Sequence, residues 1–134
     1  MKRSCFVFII LVFVAACNSG LDKENYEKTK EDLGEKERKN PLTFLEVSGT
    51  DKRNIIGKTV INGKVQNKAS VCDYKDVRIK MLFYKEGTLV ANHEQVLDNI
   101  IKANNTHNFK SRYATPKGTD SVALSIMSAV AIEK

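Results

Sequence analysis

"VRIKMLFY", residues 77–84, places Val77, Ile79, Met81 and Phe83 on alternate positions, with Arg78 and Lys80 between them. A period of two means an extended strand with one apolar face and one wet face. Lys85-Glu86-Gly87-Thr88 follows, a hairpin loop with glycine where positive φ is needed, and "LVANHEQVL" (89–97) runs back as a second strand.

The same texture extends in both directions. Upstream, "LTFLEV" (42–47) ends at the turn-rich Ser48-Gly49-Thr50-Asp51, and "TVINGKVQN" (59–67) alternates. Asp73 and Asp76 flank Tyr74 and Lys75 and read as a strand-entry turn. Downstream, "THNFKSRY" (106–113) and "SVALSIMSAVAI" (121–132) are separated by Thr115-Pro116-Lys117-Gly118. In the last run Val122, Leu124, Ile126 and Val130 form a core face. The opposite face is small and uncharged, which suits either close packing, a docking surface or an edge open to strand addition. No segment after residue 40 has a helical period. The expectation is all-β: a single antiparallel β-sandwich over residues 41–134.

Residues 57–132 also resemble the FxLYD-type domain, an immunoglobulin-like sandwich of exported bacterial proteins. The matching positions are Gly63-Lys64-Val65, Asn67, Tyr74-Lys75-Asp76-Val77, Phe83-Tyr84, Gly87 and Phe109, with Lys85 in place of the aspartate expected after the tyrosine. "ATPKGTDSVALSI" is similar to the ending of small lipoproteins of Bacteroidota. The resemblance implies an immunoglobulin-like fold and an envelope address. It carries no catalytic residue.

The first residues have a separate logic. Met1-Lys2-Arg3 precedes an apolar run to Ala16, the layout of a signal peptide over residues 1–16, too short for the ~20 residues a spanning helix needs. Val14-Ala15-Ala16-Cys17 resembles the bacterial lipobox, with valine where leucine is commoner. That resemblance implies cleavage before Cys17, a diacylglycerol on its sulfur, and membrane anchoring by two or more acyl chains, which hold where one does not. Asn18 favours onward transfer to an outer membrane in a Gram-negative cell. Residues 17–40 hold seven acids and six bases from 21 to 39 and few apolar side chains, so they read as a mobile charged tether.

From Asn40 onward fourteen Lys or Arg face nine Asp or Glu, so the folded part is basic. Such an excess suits an anionic glycan or an acidic envelope protein; nucleic acid is not expected outside the cytoplasm. His93 and His107 lie in different strands without converging donors, so no metal site is expected, and no cofactor motif is present. Cys72 is left without a partner cysteine and reads as a buried, inert thiol rather than a reactive or bridging one. No nucleophile, base and acid converge, so no catalytic residue is assigned. The candidate binding residues are Arg78 and Lys80 with Lys110 and Arg112, outward on two strands expected to be neighbours. The function that follows is a lipid-anchored, non-catalytic binding module. A small-solute or metal carrier is the alternative, and an enzyme comes third.

Overall fold

The structure, a computed structural model, describes residues 19–54 and 56–132, with side chains from Lys23 onward. The predicted signal peptide and Cys17 lie outside the described residues. The elements are helix α1 (Ser19–Lys39), a single helical turn α2 (Pro41–Phe44), and six strands: β1 (Leu45–Arg53), β2 (Lys58–Asn67), β3 (Asp73–Lys85), β4 (Thr88–Leu97), β5 (Thr106–Ala114) and β6 (Ser121–Ile132).

The strands form two antiparallel sheets of three, in the orders β1-β2-β5 and β4-β3-β6. Only β1–β2 and β3–β4 are chain neighbours that also pair; β2 to β3, β4 to β5 and β5 to β6 each cross between sheets. This is an immunoglobulin-like sandwich. Its core comes from the strand alternation. Ile61 and Val65 of β2, Phe109 of β5, and Val77, Ile79, Met81 and Phe83 of β3 are all buried. The β3–β4 turn is the expected one: Glu86 and Gly87 both have positive φ (49° and 77°), which matches the right-handed twist of the strands they join. At Gly63 the Phe109 ring of the neighbouring strand lies over the backbone, so closely that a Cβ there would stand 2.2 Å from Phe109 Cζ.

Four local expectations are corrected. Ser48–Asp51 is no turn but the middle of β1, which begins only after α2 and pairs with β2 from Leu45 to Arg53. Asp76 does not open a strand; it is a bulge inside β3, at φ 50°, that lets Tyr74 and Val77 both face the core although three residues apart. In β6 Arg78 pairs with Ser128 while Ile79 pairs with Ile126, so Met127 is an extra residue. The slip turns Ala129 and Ala131 toward the core and leaves Val130 outside, 48% exposed.

The fourth correction concerns the tether, whose residues 19–39 form helix α1 rather than irregular chain. Its last turns are docked on the β2–β3 loop. Glu37 is buried, and its carboxylate accepts the backbone N–H groups of Ser70, Val71 and Cys72 at 2.7, 2.9 and 2.8 Å. The Tyr74 hydroxyl donates to the Glu37 carbonyl at 2.8 Å, and the Cys72 thiol to the Gly34 carbonyl at 3.4 Å. Composition does not reveal this contact, because one carboxylate meets three backbone donors more than thirty residues away in the chain. No described helix is long and apolar enough to cross a membrane.

Candidate functional site

The sandwich presents two outer faces of different chemistry. On sheet β1-β2-β5 the alternation that buries Val65, Ile61 and Phe109 turns every second residue outward. Register then sets them in rows across the sheet: Ser48–Lys64–Asn108, Thr50–Asn62–Lys110 and Lys52–Val60–Arg112, with Lys58 beyond. Five cations therefore share this face. None of the five forms an ion pair among the described residues. The acid that β1 turns outward, Glu46, sits at the far end and is paired with Lys68, which holds its carboxyl below the usual carboxylate range.

Between the cations lies a shallow, open depression of about 690 Å³, edged by Ser48, Thr50, Asn62, Lys64, Asn108 and Lys110. Hydroxyl and amide groups stand here beside ammonium groups. Such a surface offers charge-assisted hydrogen bonds to anionic oxygens and neutral ones to hydroxyls.

The four residues expected to form one stripe do not lie together. Lys110 and Arg112 are on β5, in the face just described. Arg78 and Lys80 are on β3, in the other sheet, and point outward on the opposite side of the sandwich. There Arg78 Nη1 lies 3.4 Å from a Glu94 carboxylate oxygen, and Lys80 stands opposite the same Glu94 in register. Their surroundings are half-buried Leu82 and Tyr84 with exposed Val96 and Leu89. The outward direction of all four follows from alternation. Their grouping depended on β3 and β5 being neighbours, and β5 pairs with β2 instead. Lys52, Lys58 and Lys64 were missed for the same reason, although "KTVINGKVQN" already sets Lys58, Asn62 and Lys64 on one parity.

The other titratable groups are structural. Cys72 is a buried free thiol whose pKa is raised by burial first and by the Glu37 charge second. Burial likewise pushes the Tyr74 phenol above its ordinary value. His93 stacks on Tyr113 (centroids 4.3 Å apart, 8° between planes) at the β4–β5 side, where Phe83 meets both rings edge-on. Gln95 there accepts hydrogen bonds from Ser111 and Tyr113. Among the described residues no three of His, Cys, Asp or Glu converge to hold a metal ion.

Fold and face together define a sandwich domain, carried on a helix, with one strongly basic side and one on which two cations share an acid. Neither a family model nor a curated protein matches the chain. Among solved structures it is similar to the Salmonella enterica trimeric lipoprotein SadB. The two share 13% sequence identity at a TM-score of 0.49, over 85% of this chain and 78% of that one.

Proposed function

We propose that this chain is an exported protein anchored to the cell envelope by lipid on Cys17, and that its sandwich is a non-catalytic module binding an anionic glycan through the outer face of β1-β2-β5. The observation that carries the reading is the group of five cations, none in an ion pair among the described residues, around a polar depression. Like charges diagonal to one another across a sheet repel, and an anionic ligand relieves that repulsion when it binds. Hydroxyl and amide groups interleaved with the charges suit a sugar chain better than a bare ion. The lipid anchor rests on the lipobox resemblance. In a Gram-negative cell Asn18 directs the protein to the outer membrane. No observation favours the carrier or the enzyme.

The test uses the full chain on immobilised heparin, an acidic polysaccharide probe, eluted by rising salt. Lys64→Glu with Lys110→Glu and Arg112→Glu should elute at clearly lower salt than the parent, while Arg78→Glu with Lys80→Glu should shift far less. Shifts in proportion to the number of reversals, three against two, would show that net charge alone is being read and would remove the assignment to this face. The anchor is tested separately with an alkyne fatty acid fed to cells. Label on the parent should vanish in Cys17→Ala, and label that persists would place the lipid elsewhere.

A further inference from the structure

We propose that β6 is a docking edge on which a second copy of this chain adds its own β6, antiparallel, joining two three-stranded sheets into one of six. β6 ends the order β4-β3-β6, and among the described residues no strand lies beyond it. On that open side none of its backbone groups bonds to the backbone of α2, β1 or any loop. The turn α2 stands beside Met127–Ala129, and β1 of the other sheet packs on β6 where Leu124 meets Gly49; this leaves the unpaired backbone edge of Ser121–Ile126 as the stretch that can accept a strand.

Exposed edges are ordinarily defended by charge, proline, bulges or cover. The other three edges of this sandwich carry charge: Glu46, Asp51, Lys52 and Arg53 on β1, Glu94 on β4, Lys110 and Arg112 on β5. β6 has no charged residue and no proline in twelve positions, and its bulge at Met127 falls outside the open stretch.

Charge also selects the occupant. Two-fold pairing sets β6 of one copy against β6 of the other, so any charge near the axis would face its own sign. An uncharged strand avoids this in every register, and β6 is the only such strand among the six described. The domain is otherwise basic, so most of its surface repels a second copy. Polyanions are drawn to the opposite sheet instead. On pairing, half-buried Val122, Leu124 and Ile126 would be covered by the same three residues of the partner, which adds apolar burial to the backbone hydrogen bonds. The two-fold lies perpendicular to the sheet, so both basic faces come to the same side of the pair. The pairing itself does not depend on what those faces bind.

The experiment is thiol cross-linking of the full chain in membranes with a short bifunctional reagent. Ala123→Cys and Ser125→Cys, both outward and exposed on β6, should give a two-chain band several-fold stronger than Glu94→Cys on the far edge of the same sheet. The parent chain, whose Cys72 is buried, controls for background. Cross-linking at 123 and 125 no stronger than at 94 would overturn the proposal. In parallel, the detergent-solubilised chain should sediment at two-chain mass and Ser125→Lys at one-chain mass, with Ala123→Glu as the second variant should the first not fold. A parent of one-chain mass, or a folded variant that keeps two-chain mass, would equally sink it.

Discussion

The two outer faces of this sandwich are built by the same alternation along their strands, yet they differ in kind. On β4-β3-β6 the outward cations Arg78 and Lys80 meet Glu94, and the rest of the face is partly apolar. On β1-β2-β5 five cations stand opposite neutral residues and diagonal to one another, and the outward acid Glu46, at the far end, is paired with Lys68. The faces differ in the number of cations and in where the acids stand relative to them. A cation is available to a ligand only when strand order leaves it without an acid opposite.

The largest way to break the comparison is through the backbone under the basic face. Gly63→Val would drive a side chain into the Phe109 ring, forcing apart the two strands that carry Lys64 and Lys110. We expect a loss of about 3 kcal/mol in stability, as for an overpacked core, read from thermal or urea unfolding. Gly87→Ala, in the hairpin of the other sheet, meets nothing within 4 Å and suffers only its positive φ. Its cost should be about 1 kcal/mol. If the two variants unfold alike, the packing of Phe109 on Gly63 is not what holds that face.

Next in size is the clamp beneath both sheets, where the chain crosses from β2 to β3. Glu37→Ala leaves three backbone N–H groups without their acceptor, at a cost of about 2–3 kcal/mol. Hydrogen exchange at residues 70–72 should accelerate in the variant. Unchanged protection there would mean that α1 is not docked through this carboxylate. Cys72 reports on the same junction. Burial and the Glu37 charge favour its neutral thiol, so it should resist iodoacetamide at neutral pH and react on unfolding, as followed by mass spectrometry.

The smallest effects sharpen the contrast in charge. Arg78→Ala or Glu94→Ala should change stability by no more than about 0.5 kcal/mol, because the pair is half exposed and solvent screens it. Glu94→Lys, by contrast, frees Arg78 and Lys80 and makes the second face basic. It should raise the salt needed for elution from heparin, although less than the loss caused by reversing Lys64, Lys110 and Arg112. A chain insensitive to Glu94→Lys would show that the depression on the first face matters beyond charge.

Much of this was legible in the residues themselves. A period of two fixes which side of a strand is wet, so the inward Val77, Ile79, Met81 and Phe83, the outward Arg78, Lys80, Lys110 and Arg112, and the positive-φ hairpin at Glu86-Gly87 needed no partner to be read. These are local properties, set by side-chain direction and backbone sterics within a few positions. Pairing is not local. Whether β5 lies beside β2 or β3 depends on contacts some fifty residues apart in the chain, and that choice alone decided which cations share a face. The same holds for Glu37, whose role on α1 appears only when Ser70, Val71 and Cys72 present their amides to it, and for Met127, whose bulge answers a bulge in another strand. Side-chain alternation belongs to the sequence; strand neighbours, and therefore the binding face, belong to the tertiary fold, because only there do distant strands choose which hydrogen bonds to share.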